Sequence, residues 1–307
     1  MKDIIFHIGL HKTATTTLQR QVFSKWPGLV NASKSREVSG LVRALTTVDP
    51  IYFDADHWAR ALASTFTDNQ TLIISREALS GALFAGVGKR GIDHRSSILD
   101  NLMLVAPTAR IILVLRRQDT LARSIYRQYL NDGGTESIKE FYGIESARSP
   151  IFPAERFMYS PYVRHLHSLT SGRLLVLPFE ELAAQSDAFL LKLGSFVGLD
   201  APNVILRNSN DSRMGSLGME VMRHVNRLFR SQLNPGALLP RIPMYRRGRL
   251  EFDTMAALMQ HNWPIKGTIG KNSRIQRISD SILETNKDDN KILDEQFNLG
   301  LHKYGYY

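Results

Sequence analysis

The sequence predicts an α/β fold, a central and mostly parallel sheet with helices on both of its faces. Four short apolar runs have the length and composition of buried strands, and segments with helical spacing of apolar residues lie between them. Strands that are apolar throughout are typical of parallel sheets that are covered on both sides. The four runs are Ile4–Ile8, Thr71–Ser75, Arg110–Leu115 and Arg173–Leu177, and the helical segments lie around 38–45, 58–66, 96–105 and 160–169.

The composition is that of a globular chain with a basic surface. Its 307 residues are 43% apolar and carry a formal net charge of +10. We predict one domain over 1–307, with an irregular C-terminal segment from about 207 to 307. The lack of cysteine excludes disulfides and thiolate zinc sites, and it fits a reducing compartment. The charge favours an anionic partner, but nucleic acid, acidic lipid and a nucleotide would all satisfy it.

The N-terminal strand turns sharply into a helix, and this turn is a candidate phosphate site. The segment from Gly9 to Thr15 contains Lys12, and a helix start offers unpaired backbone N–H groups and a positive dipole end. The hydroxyls of Thr13, Thr15, Thr16 and Thr17 are further donors, placed to cap the helix. An ordinary turn with a solvated lysine is the alternative. An ATPase P-loop is excluded, because Ala14 stands five residues after Gly9 and this turn contains no Gly-Lys pair.

A second candidate anion site follows the third predicted strand. Arg116 leaves that strand, and Ser124 lies eight residues later in a helix that begins near Asp119. Arginine meets phosphate with a planar fork of donors, and a serine hydroxyl can add to it. A solvated basic helix is the alternative, since other arginines surround the pair. Lys12, Arg76 and Arg116 each lie just past the end of a strand, where ligands bind in open parallel sheets.

The opening segment FHIGLHKTATTTLQ resembles the 5′-phosphosulfate loop of sulfotransferases that use 3′-phosphoadenosine 5′-phosphosulfate (PAPS), and it looks most like the bacterial, carbohydrate-type branch. The pair Arg116 and Ser124 is similar to the family's 3′-phosphate motif in both spacing and order. The resemblance implies a P-loop-like three-layer sandwich, a PAPS donor and no metal. It assigns donor binding to the following residues: Lys12, Thr13, Ala14, Thr15, Thr16, Thr17, Arg116 and Ser124. Ala14 stands where the family commonly has glycine, and alanine fits there if it keeps a negative φ.

The resemblance also implies a reaction. Lys12 would stabilise the charge that develops on the leaving phosphate oxygen, as the matching lysine does in the family. A base within hydrogen-bond reach must take the proton of the acceptor hydroxyl. Glu77, just past the second predicted strand, is our candidate, with His11 and His57 as rivals. We expect a carbohydrate or glycolipid-like acceptor and no nucleic-acid partner. A kinase-like phosphotransferase and a non-catalytic polyanion-binding protein are the alternatives.

Two expectations concern location and closure. No apolar run approaches the ~20 residues that cross a bilayer, and a core strand follows Met1 almost at once. We therefore expect no signal peptide or transmembrane segment and a cytoplasmic, bacterial enzyme; contact with a membrane surface stays open. In relatives a basic loop late in the chain closes over the nucleotide, and two segments of this chain are candidates. They contain Arg241, Arg246, Arg247 and Arg249, and Lys266 and Lys271.

Overall fold

A computed structural model describes residues 3–66, 70–84, 95–144, 149–206, 215–240, 242–246, 249–253 and 273–307, with 242–253 described at the level of the backbone. Its centre is a five-stranded sheet in the order β2-β3-β1-β4-β5, in which every neighbouring pair is parallel. The strands are β1 (Asp3–Gly9), β2 (Leu29–Asn31), β3 (Thr71–Ser75), β4 (Arg110–Leu115) and β5 (Leu174–Pro178). The predicted α/β class with a parallel central sheet is confirmed.

Helices cover both faces of the sheet. In β1 the side chains alternate between two apolar cores: Phe6 and Ile8 belong to the larger one and Ile5 to the smaller one. This alternation explains why the strand is apolar throughout, because each face of a strand carries every second side chain. The helices between the strands are α2 (Arg36–Thr47), α3 (Ala55–Thr65), α4 (Arg95–Val105), α5 (Gln118–Asn131), α6 (Ile138–Tyr142) and α7 (Tyr159–Leu169). Two more helices follow β5, namely α8 (Phe179–Ala184) and α9 (Ser186–Val197).

The helix that follows β1 differs from its prediction. It begins as one α-helical turn, α1 (Thr15–Thr17), and continues as a π-helix over Leu18–Phe23. The expected threonine cap is wrong: Ala14 is the N-cap residue, and no side chain of the described residues caps the helix. The Thr13 hydroxyl instead donates to the Leu10 carbonyl at 2.5 Å. π-helical turns are rare and often lie at functional sites.

The C-terminal segment contains regular elements where the sequence pattern leaves it irregular. The described residues form α10 (Ser216–Asn226), an antiparallel hairpin of β6 (Ile242–Arg246) and β7 (Arg249–Asp253), α11 (Arg274–Thr285) and α12 (Lys287–Phe297). α11 packs along α5 and buries Ile275 and Ile278.

Part of this C-terminal segment is not described. Of the candidate closing segments, Arg241, Arg247, Lys266 and Lys271 lie outside the described residues, and the side chains of Arg246 and Arg249 are not described. Among the helices that the structure describes, none has the length and apolarity to span a bilayer.

Candidate active site

The predicted site residues converge at the carboxyl ends of three adjacent strands, β3, β1 and β4. The loop 10–14 follows β1, Glu77 follows β3 and Arg116 follows β4. The chain leaves β1 toward one edge of the sheet, where β2 lies, and it leaves β4 toward the other edge, where β5 lies. Such a switch point opens a crevice between the two loops, which is where open parallel sheets bind their ligands.

The loop after β1 has an unusual backbone. Lys12 has a φ of 68° and Ala14 a φ of 61° with a ψ of 18°, both in the left-handed region, whereas Thr13 between them is not. The condition under which alanine fits this position without strain, a negative φ, is therefore not met. In proteins, alternation of this kind turns successive N–H groups toward one side, as in the concave nests that bind anions. Left-handed alanine costs about 1–2 kcal/mol, which the surrounding structure must offset.

The threonines of the loop have different environments. Thr13 and Thr15 are buried, Thr17 is half-buried and Thr16 is exposed. The Thr13 hydroxyl is occupied by the Leu10 carbonyl. Thr15 packs against Gly9, where a Cβ would lie 2.2 Å from the Thr15 hydroxyl oxygen. Thr13 and Thr15 thus shape the loop, while Thr16 is the threonine that is open to solvent.

Lys12 is a half-buried cation between two carboxylates. Its Nζ donates to Gln128 Oε1 at 2.6 Å, and Gln128 Nε2 donates to Asp132 Oδ1 at 2.7 Å. Burial lowers the pKa of Lys12; attraction to Glu77 and Asp132 opposes the shift, and repulsion from Arg116 adds to it. An anion that binds next to this ammonium would therefore raise its pKa and favour the charged form.

Arg116 links the second motif to the first. Its Nη1 donates to the carbonyl oxygen of Lys12 at 2.7 Å, its Nε donates to Thr120 Oγ1 at 3.1 Å, and its guanidinium stacks over Phe179 at 4.7 Å. Burial lowers the pKa of Arg116, and the charge of Glu180 opposes that shift. Two residues that are 104 positions apart in the sequence thus border one cleft.

Hydrogen bonds of Tyr159, Glu180 and Tyr306 support the turn that contains Arg116. The Tyr159 hydroxyl donates to the Arg116 carbonyl at 2.6 Å. Glu180 accepts the Arg117 amide at 3.0 Å and the Tyr306 hydroxyl at 2.8 Å. Tyr306 is completely buried. These bonds satisfy the backbone at the β4–α5 junction and hold it rigid.

One face of helix α5, formed by every fourth residue, is turned toward the loop 10–14. The row contains Thr120, Ser124 and Gln128 and ends at the C-cap Asp132, so these side chains lie on one helical face. Ser124 is half-buried, and within the described ranges its hydroxyl has no hydrogen-bond partner. The alternative of a solvated basic helix is not what the structure shows, since α5 buries residues along its whole length.

Glu77 lies on the turn after β3 and faces the loop. Its Oε2 is 3.4 Å from His11 Nδ1, and His11 Nε2 lies 3.1 Å from the Gly81 carbonyl oxygen. Burial alone would raise the pKa of Glu77, but the hydrogen bond and charge of His11 and the charge of Lys12 outweigh it, so the pKa lies below its ordinary value. The structure therefore makes His11 a partner of Glu77 and brings both beside Lys12.

Two further residues that the sequence analysis named, His57 and Arg76, contact other parts of the chain. His57 is exposed on α3, with its ring against Trp58. Arg76 Nη2 donates to Ser39 Oγ of α2 at 2.8 Å. In the part of the chain that the structure describes, no cluster of three or more histidine, aspartate or glutamate side chains is arranged to hold a metal ion.

A buried polar network, which the sequence analysis missed, anchors the end of β3 behind the loop. His7 Nδ1 and Ser75 Oγ are 2.7 Å apart, and Gln19 Nε2 donates to the Ser75 carbonyl at 2.8 Å. His7 is completely buried, which lowers its pKa to about 4 and keeps the ring neutral near pH 7. The network joins β1, the π-helix and β3 just before Glu77.

Comparisons with known proteins find similarity to solved structures. No protein-family model matches the chain, and no curated protein sequence does. A sulfotransferase from Alicyclobacillus acidocaldarius is similar over 78% of this chain and 98% of its own, at 17% identity and a TM-score of 0.49. The sulfotransferase domain from the curacin biosynthetic pathway is similar over 92% and 98%, at 12% identity and a TM-score of 0.41. A mouse sulfotransferase complexed with PAP is similar over 91% and 88%, at 14% identity and a TM-score of 0.37.

Proposed function

We propose that this chain is a sulfotransferase that moves a sulfuryl group from PAPS to a hydroxyl of a carbohydrate or glycolipid-like acceptor. The observation that carries the proposal is the hydrogen bond between Arg116 and the Lys12 carbonyl, 2.7 Å long, which brings the two anion motifs into one cleft. PAPS has an anionic group at each end, the 3′-phosphate and the 5′-phosphosulfate. Two cationic positions that share a crevice suit such a donor better than a ligand with one charge.

The residues present fit this donor. The loop at 12–14, left-handed at Lys12 and at Ala14, offers backbone N–H groups to the phosphosulfate, with the Lys12 ammonium beside them. Arg116 and the Ser124 hydroxyl would hold the 3′-phosphate. The hydrogen bonds from Arg116 to the loop and to Thr120 fix its direction before the ligand arrives, so less conformational entropy is lost on binding.

Each residue then has a role in the reaction. The acceptor oxygen attacks sulfur, the bond from sulfur to the bridging phosphate oxygen breaks, and the hydroxyl proton passes to Glu77. Lys12 would leave Gln128 and stabilise the negative charge on the departing oxygen, an interaction that is stronger in the transition state than before it. His11 holds Glu77 as a carboxylate by contact with Oε2, so the base is ready to accept a proton.

The acceptor is the finer part of the proposal. A carbohydrate or glycolipid-like hydroxyl follows from the resemblance of the opening loop to the carbohydrate-type branch. A screen of hydroxyl-bearing acceptors with labelled PAPS tests it. Transfer of label to sugar hydroxyls is expected, and transfer exclusively to other acceptor classes would contradict it.

Calorimetric titration with adenosine 3′,5′-bisphosphate tests donor binding. Binding of one bisphosphate per chain is expected. Arg116→Ala should weaken it roughly 10- to 150-fold, because a hydrogen bond to a charged group contributes about 1.5–3 kcal/mol. Arg164→Ala, on the exposed side of α7, is the matched control for the loss of one positive charge. Equal affinity for ATP with magnesium would favour a kinase, and binding to DNA without affinity for the bisphosphate would favour a polyanion-binding protein.

A further inference from the structure

One arginine of α5 has no counter-charge among the residues that the structure describes. Arg117 and Arg123 both form ion pairs with Asp119, at 2.7 and 2.8 Å. Arg127 forms no ion pair and no hydrogen bond within the part of the chain that the structure describes, and its Nε is buried without an acceptor. A guanidinium in this position is destabilising until an anion reaches it.

The charged neighbours of Arg127 are cations. Burial lowers its pKa, and repulsion from Arg116 and Arg123 adds to that shift. Lys12 also feels the positive charge of Arg127. Arg127 thus belongs to a group of positive charges, with Lys12, Arg116 and Arg123, that are close enough to repel one another.

Helical geometry places Arg127 beside the proposed 3′-phosphate site. It lies three residues after Ser124 on α5, so the two side chains are neighbours on the helix surface. Arg116, two residues before the same helix, is close enough for its charge to lower the pKa of Arg127. A doubly charged phosphate monoester between these side chains would supply the missing counter-charge and the missing acceptor atoms together.

We propose that Arg127 binds the 3′-phosphate of the nucleotide donor together with Arg116 and Ser124. Its unpaired guanidinium discriminates in favour of a nucleotide that carries this phosphate and against one with a free 3′-hydroxyl. The nucleotide as the source of the phosphate rests on the proposed function, whereas the anion site itself does not.

Two measurements on Arg127→Gln test the proposal. The first compares adenosine 3′,5′-bisphosphate with adenosine 5′-monophosphate by calorimetry. The variant should bind the bisphosphate roughly tenfold or more weakly, with the affinity for the monophosphate changed by less than about twofold. The bisphosphate affinity of Arg127→Lys should lie between those of the wild type and Arg127→Gln, because lysine keeps the positive charge and lacks the planar set of guanidinium donors. The affinity of Arg164→Gln should match that of the wild type.

The second measurement is thermal unfolding with and without inorganic phosphate. Without phosphate the Tm of Arg127→Gln should equal or exceed that of the wild type, and phosphate should raise it less than it raises the wild-type Tm. A lower Tm with unchanged bisphosphate affinity would overturn the proposal and make Arg127 structural. Equal losses for both nucleotides would also overturn it.

A different result would contradict the proposed function without contradicting the anion site. A wild-type chain that does not bind the bisphosphate, but gains Tm from inorganic phosphate in an Arg127-dependent way, would contradict the PAPS donor and leave the anion site in place.

Discussion

Gly9→Ala probes the packing on which the conformation of the loop 10–14 depends. A Cβ added at Gly9 would lie 2.2 Å from Thr15 Oγ1 and 3.2 Å from both Thr15 Cβ and Cγ2. Contacts near 2.2 Å do not occur between a Cβ and an oxygen, so Thr15 or the strand end must move by about 1 Å. Overpacking in a tight interior costs about 1–3 kcal/mol. We expect urea unfolding to show a loss of this size with an unchanged m-value.

A double-mutant cycle identifies the cause of that loss. Thr15→Ala removes the hydroxyl and leaves a single contact at 3.2 Å, whereas Thr15→Ser keeps the oxygen that clashes. Gly9→Ala should therefore cost at least about 1 kcal/mol less in the Thr15→Ala background than in the wild type, and about the same in the Thr15→Ser background. A single-variant loss below ~0.5 kcal/mol, or equal losses in all three backgrounds, would refute the packing argument.

Three further predictions follow from the site. Glu77→Gln should keep bisphosphate affinity and lose about 100-fold or more in kcat, and because the pKa of Glu77 lies below its ordinary value, wild-type kcat/KM should not fall as pH drops from 7 to 5. A fall in kcat/KM over this range would contradict Glu77 as the base. Ala14→Gly should raise the free energy of unfolding by about 0.5–1 kcal/mol, since relief of left-handed strain exceeds the added chain entropy; an unchanged or lower value in urea would contradict the φ of 61°. His7 binds its proton near pH 4 when folded and near pH 6.5 when unfolded, so the wild type should lose stability as pH falls through that window, by on the order of 3 kcal/mol. His7→Asn should not show this loss. If the free energy of unfolding falls equally with pH in both chains, the assignment of the loss to His7 is wrong.

The sheet was largely predictable because its strands are buried on both faces. Thr71–Ser75 and Arg110–Leu115 have the predicted bounds, because an unbroken apolar run between polar residues shows where a buried strand begins and ends. β2 was missed: three residues at the edge of the sheet, paired with β3 alone, are too short to show a pattern. The general rule that ligands bind at strand ends was enough to place Lys12 and Arg116 at the same edge.

The finer geometry of the site could not be read from the sequence. A left-handed Ala14 runs against the preference of alanine and depends on the packing around it. The row Thr120, Ser124, Gln128 and Asp132 has visible helical spacing, but its contact with Lys12 joins residues 116 positions apart. Arg123 and Arg127 are both half-buried, and they differ in their partners: Asp119 lies one helical turn before Arg123 and pairs with it. Whether a carboxylate from another element reaches Arg127 is set by tertiary packing alone.

A crystal structure of the complex with adenosine 3′,5′-bisphosphate tests the central claim most directly. One nucleotide should lie across the carboxyl ends of β1 and β4, with its 5′-phosphate on the backbone of residues 12–15 and near Lys12 Nζ. Its 3′-phosphate should contact the guanidinium of Arg116 and the hydroxyl of Ser124. Density for the nucleotide elsewhere, or a nucleotide that touches one of these two positions and not the other, would contradict the account.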